Sequence, residues 1–185
     1  MIFYKLPMAA TFALAASALP QVFQSSTTTS SIAGRGTSSA SQDGGVSIIN
    51  NLNITVYLWS TVSTSSSSDM QSLAPGGGSY FESWQTTSDG SGISIKMSTT
   101  EDQSSVLQFE YTSDDGTLYW DLSSIDLDKD SIFVEEGFSA TPDDSSCSAV
   151  TCAAGDADCA ASYQNPDDDD TNTCNSAVQV TLTLG

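Results

Sequence analysis

At 185 residues the chain has room for one domain with one sizeable core. Lys+Arg number 4 against 23 Asp+Glu, a formal net charge of -19, which argues against nucleic acid and anionic membrane surfaces as partners, because their phosphates call for cationic neutralisation. Histidine is absent, which removes imidazole as a general base, a zinc ligand or a pH switch. Residues 1–18 contain Lys5, an apolar run from Met8 to Leu14 and an Ala16-Ser17-Ala18 end, the order of a secretory signal peptide cleaved near Ala18. The apolar run falls short of the ~20 residues a bilayer span needs, so no membrane span is expected. Residues 19–45 read as a disordered stalk. They include SSTTTSSIAGRGTSSAS, Ser25 to Ser41, which is open to O-glycosylation and offers little to bury.

The globular domain is expected over 46–185. Val46 and Ile48 suggest a short first strand ending in a turn at Asn50-Asn51. In NITVYLWS (Asn53 to Ser60), Ile54, Val56 and Leu58 form one face, and Thr55, Tyr57 and Trp59 the other. Asn53-Ile54-Thr55 is an N-glycosylation sequon, which requires Asn53 to be exposed. A serine-rich loop (Ser63 to Ser68) and a Pro/Gly turn in LAPGGGS (Leu73 to Ser79) follow. GISIKMST (Gly92 to Thr99) alternates Ile93, Ile95 and Met97 against Ser94, Lys96 and Ser98. VLQFEY (Val106 to Tyr111) sets Leu107, Phe109 and Tyr111 against Gln108 and Glu110. Ser113-Asp114-Asp115-Gly116 is a hairpin turn signal. TLYWDLS (Thr117 to Ser123) directs Leu118, Trp120 and Leu122 inward, Tyr119 and Asp121 outward. Ser131 to Val134 reads as one more short strand, and Thr141 to Thr173 as acidic, cysteine-stapled loop. The chain closes on NSAVQVTLTL, where Val178, Val180, Leu182 and Leu184 share a face. Strands at both ends with little helical pattern between them predict an all-β sandwich or barrel.

Cys147, Cys152, Cys159 and Cys174 are an even set in a secreted chain and read as two disulfides, with three pairings open. The CxxC spacing of a zinc site is missing. Asp126, Asp128 and Asp130 begin like a calcium loop, but Ser131 and Gly137 stand where an EF-hand needs Gly and Glu, so the cluster reads as solvated charge. No metal and no cofactor is expected. Asp167 to Asp170 reads as a self-repelling loop.

The order NNLNITVYLWS, LAPGGGSY, GISIKMS, VLQFEYTSDDGTLYWDLSSID, a cysteine-bearing segment and VQVTLTL resembles the small fungal thaumatin-like proteins, including the yeast-phase-specific surface antigen group of dimorphic fungi. The resemblance spans roughly Val46 to Leu184. It implies a β-sandwich core with a loop-rich, disulfide-bonded lobe, and secretion to the medium or the cell wall. It also implies an acidic cleft built from one Arg, one Glu and several Asp, which accompanies weak β-1,3-glucan binding or hydrolysis in plant relatives. Placed on this chain, the two Asp fall on Asp121 and Asp126, the Glu on Gln108 and the Arg on Met97, so two of four positions keep their chemistry. Cys159 and Cys174 look similar to a local loop-closing pair of the family, which would leave Cys147 with Cys152.

Glycoside hydrolysis normally uses two carboxyls. With an amide at Gln108, Glu110 beside Asp121 is the pair that could substitute. Tyr57, Trp59 and Tyr119, with Gln108 among them, are candidates for an aromatic shelf under a sugar ring. The expectation is a secreted, monomeric and non-catalytic protein that contacts β-glucan, another cell-wall glycan or a host surface. A weak endo-β-1,3-glucanase is the alternative.

Overall fold

The computed structural model describes residues 44–62 and 69–185. The expected signal peptide, the stalk up to residue 43 and the serine-rich loop 63–68 lie outside the described residues. Within them the alternating segments become strands, each turning its apolar parity inward. These are β1 (Gly45–Asn50), β2 (Val56–Val62), β5 (Ile93–Ser98), β6 (Leu107–Asp114), β7 (Thr117–Ser123) and β11 (Gln179–Leu184). Five further strands come from segments without a clean apolar period: β3 (Gln71–Leu73), β4 (Gly78–Ser83), β8 (Phe138–Pro142), β9 (Val150–Cys152) and β10 (Asn172–Asn175).

They form two sheets, ordered β4-β1-β11-β8-β9 and β10-β7-β6-β5-β2-β3. The two ends of the folded chain are neighbours, since β1 runs parallel to β11 with Ile48 beside Leu182. The inward residues of both sheets make one core, in which Phe109 stacks on Trp120 at 5.6 Å and Trp84 meets Tyr111 edge-on at 4.8 Å. The indole Nε1 of Trp120 is buried without a hydrogen-bond partner.

One core residue is a carboxylic acid. Glu82, on the edge strand β4, is 8% exposed and points between the sheets. Its two oxygens accept hydrogen bonds from Tyr80 Oη at 2.7 Å and from Tyr111 Oη, on the opposite sheet, at 2.6 Å. Burial first, and then the Glu82 carboxyl, push both phenols well above their ordinary range, so they remain donors.

Two expectations are corrected here. Ser131 to Val134 is not a strand: Ser131 caps a short helix, α1 (Ile132–Glu136), by accepting from Phe133 N–H, and Gly137 ends it at φ 81°. The disulfides are Cys147–Cys174 and Cys152–Cys159, not Cys159–Cys174 with Cys147–Cys152. The physical reason is strand placement. Cys152 ends β9 and Cys174 lies in β10, the edge strands of different sheets, so the short loop after β9 closes on itself through Cys159, and Cys147 is left to tie the loop before β9 to β10. Proteolytic mapping without reduction is expected to return these two cross-linked peptides; recovery of a Cys159–Cys174 peptide would refute the pairing.

Candidate functional site: an open cavity on the six-stranded sheet

The β6–β7 hairpin sets the register of the site. Asp115 (φ 42°) and Gly116 (φ 80°) form its two-residue turn, the conformation a tight hairpin requires. Counting back from that turn brings Glu110 directly opposite Asp121, and β5 adds Ser94 opposite Glu110. With Thr61 of β2 the row reads Thr61, Ser94, Glu110, Asp121. The next row is Trp59, Lys96, Gln108 and Ser123, and on the other side Thr112 pairs with Tyr119. All point away from the core, because side chains alternate across a strand.

Except for the buried Trp59 and Ser123, these residues floor an open cavity of about 490 Å³, and Thr171, just before β10, contributes to its lining. Directly opposed residues have Cβ atoms about 4.5–5.5 Å apart, so the Glu110 and Asp121 carboxyls rise side by side from the floor. Asp121 is half-buried. Burial first, then the charges of Glu110 and Asp170, push its carboxyl up to about 7. In weakly acid solution the site therefore offers a protonated carboxyl as donor beside a second carboxyl. Tyr119 stands next to them with 45% of its surface exposed. Gln108 is held in place, accepting from Ser94 Oγ at 3.2 Å, with its amide nitrogen directed at Ser123 Oγ at 3.5 Å. Such a mixture of donors, acceptors and one aromatic face suits a polyhydroxylated ligand.

Of the residues expected from sequence, Glu110, Asp121, Gln108 and Tyr119 line this cavity together. Asp126 does not. It sits on the exposed turn after β7, where its backbone carbonyl accepts from Val106 N–H. Tyr57 is half-buried opposite Ser98 and outside the lining. Trp59 has the outward parity expected of it and lies opposite Lys96, yet it is only 7% exposed and offers no shelf. Met97, placed by the resemblance where the cleft Arg would be, is fully buried in the core. The cation that reaches the cavity is its neighbour Lys96, which the two-residue alternation of β5 puts on the right face. Thr61 and Thr171 also line it, and no pattern in the sequence marks them. Asn53 is exposed on the turn between β1 and β2, as its sequon requires. Among the described residues no three His, Cys, Asp or Glu side chains converge to hold a metal ion. None of their helices is long and apolar enough to cross a membrane.

Comparison with known proteins agrees with this architecture. The family model described as Bys1, Blastomyces yeast-phase-specific protein, matches residues 35–185. The chain is 53% identical over 142 residues, 77% of this chain and 81% of the other, to a protein of Emericella nidulans named secreted thaumatin-like protein calA. It is 42% identical over 114 residues, 62% of this chain and 56% of the other, to an antigenic thaumatin-like protein of Arthroderma benhamiae. Among solved structures, the protein elicitor MoHrip2 of Magnaporthe oryzae is similar at TM-score 0.63 and 24% identity, over 76% of this chain and 98% of that one. The thaumatin-like xylanase inhibitor TLXI is similar at TM-score 0.51 and 11% identity, over 75% and 97%. These two likenesses speak for the fold. On the family match and the 53% identical relative, the chain belongs to the Blastomyces yeast-phase-specific family and is a secreted thaumatin-like protein.

Proposed function

We propose that the protein acts without catalysis, by contacting glycan through the cavity on the six-stranded sheet. The ligand is β-glucan of a cell wall or a glycan of a host surface. One observation carries this reading: the exposed ring of Tyr119 stands beside the Glu110–Asp121 donor–acceptor pair in an open, hydroxyl-lined cavity. A sugar ring laid on Tyr119 would meet both carboxyls with its hydroxyls. Hydrolysis asks for more, namely a proton donor and a nucleophile or base that flank the scissile bond. Glu110 and Asp121 share one floor, Gln108 has only an amide to offer, and Asp126 is elsewhere. The protein is proposed to work as a monomer, freed of residues 1–18, with a stalk that ends before Gly44, two residues short of the boundary expected at 45/46 because Gly45 already opens β1, and with Asn53 as a glycan acceptor.

A weak endo-β-1,3-glucanase is the second reading. It draws on the raised Asp121 carboxyl, since a general acid must hold its proton near working pH. The two readings separate in one preparation assayed for retention on insoluble β-1,3-glucan, affinity for soluble β-1,3-gluco-oligosaccharide, and reducing-sugar release. Non-catalytic contact predicts oligosaccharide binding that Tyr119→Ala weakens about tenfold or more, corresponding to loss of one stacking contact of about 1.4 kcal/mol, with no sugar released. Sugar release that Asp121→Ala abolishes would establish the glucanase instead.

A further inference from the structure

The outer face of the five-stranded sheet, on the opposite side of the sandwich from the cavity, has a composition unlike the rest of the chain. The register sets Phe81, Ser47, Thr181 and Thr141 in one row across β4, β1, β11 and β8. The adjacent row, continuing into β9, reads Ser79, Ile49, Thr183, Ser139 and Thr151. A third, shorter row reads Ser83, Gly45 and Gln179. In a chain with 23 Asp+Glu, none of these outward positions carries a charge. The third row ends beside a carboxyl, Asp143, which lies just past β8 opposite Gln179 and accepts from Gln179 N–H at 2.9 Å.

Strand propensity accounts for threonines in such rows, but not for the missing charges. The edge strand β4 makes the point. Edge strands are commonly guarded by outward Lys or Glu, whereas here the guarding acid, Glu82, points inward and leaves Ser79, Phe81 and Ser83 outside. Phe81 is 52% exposed, and its ring lies over Gly45, where an added Cβ would come within 2.8 Å of it. The aromatic ring is thereby propped at the side of the face.

Spaced about 4.8 Å between strands and about 6.6 Å along them, the hydroxyls form a grid in which each group both donates and accepts. Short Ser and Thr side chains lose little rotamer freedom on contact. No charge need be stripped of water against an uncharged partner. A polyanion is repelled by the net charge of the chain, and a polycation is drawn to its carboxylates, which the two longer rows lack. We propose that this face docks on the ordered surface of an uncharged, insoluble polysaccharide, holding the protein there by contacts separate from those of the cavity.

The test uses the full secreted chain and its retention on insoluble β-1,3-glucan and on chitin particles. Thr181→Glu and Thr181→Lys each place one charge in the middle of the grid; Thr141→Glu and Thr141→Lys do so at an exposed position that bears little on folding. All four are expected to lower retention tenfold or more, regardless of sign, with thermal melts and soluble-oligosaccharide affinity unchanged. Tyr119→Ala should show the opposite balance, with soluble-oligosaccharide binding falling tenfold or more and retention on particles falling far less than in the four face variants. Lys variants retained better than wild type while Glu variants are lost would mean general electrostatic attraction and would overturn the proposal. So would unaltered retention of all four variants, or a wild-type chain that no particle retains. Failure of the cavity reading alone would show as absent soluble binding with particle retention intact.

Discussion

Glu82→Ala is expected to destabilise the domain by about 3 kcal/mol, the scale of two hydrogen bonds to a carboxyl together with the stranding of a buried phenol. The Tyr111 hydroxyl crosses from one sheet to the other to reach Glu82, and it also accepts from Gln85 N–H at 3.2 Å. Without Glu82 its own proton has no acceptor in the core, whereas Tyr80, half-buried, can turn to water. For a domain of this size the loss corresponds to a fall in Tm of roughly 10 °C. Tyr111→Phe should cost about 2 kcal/mol, because it removes one of the two donors that hold a buried carboxyl. Glu82→Leu with Tyr111→Phe should cost clearly less than Glu82→Leu and Tyr111→Phe measured singly and added together, since the apolar pair strands neither a buried carboxyl nor a buried phenol, and the exposed Gln85 can turn its N–H to water. Additive losses in that cycle, measured by urea unfolding, would mean that the two side chains do not act as a unit.

The same residue explains why β4 is hard to read from sequence. GSYFES turns Tyr80 and Glu82 inward and Phe81 outward, so the inner face carries the acid and the outer face the phenylalanine. A reader of hydrophobic alternation assigns those faces the wrong way or sees no strand at all. The strands that can be read, β5, β6, β7 and β11, keep an inner face of apolar and aromatic residues, and the Asp115-Gly116 turn adds a local signal that fixes register as well as strand. That is why the Glu110–Asp121 pair can be anticipated: a two-residue hairpin leaves only one residue opposite each position. Asp126 and Trp59 could not be placed in this way. The first lies beyond the hairpin, where the chain leaves the sheet, and the second has the correct parity while its burial depends on neighbours distant in sequence. Disulfide pairing is likewise decided by which sheet each cysteine joins, and β9 and β10 are too short to announce their sheets.

Asp121→Asn is expected to stabilise the protein at pH 8 and to change little at pH 4. In an unfolded chain an aspartate titrates near ~3.9, whereas burial, Glu110 and Asp170 push Asp121 up to about 7 in the fold. Between these values the folded state holds a proton that the unfolded state has lost. The favourable contribution of this group is therefore complete below the unfolded value and is lost as pH rises through the folded one. Asparagine carries no charge at any pH, so the variant escapes that loss; discounted for the partial exposure of the site, the gain at pH 8 is about 2 kcal/mol. Other carboxyls, such as Asp168 with its two backbone donors, titrate low and lend stability that is lost only in acid, which is why the difference between variant and wild type is the quantity to measure. Thermal melts at pH 4, 6 and 8 should show the gap opening with pH, and a gap equal at all three would refute the assignment. Glu110→Gln should leave most of the effect in place, because burial, the larger cause, remains. A shared consequence reaches the ligand. If the Asp121 proton donates to a sugar hydroxyl, soluble-oligosaccharide binding should weaken as pH rises past about 7 in the wild type and stay level in Asp121→Asn, whose amide remains a donor throughout.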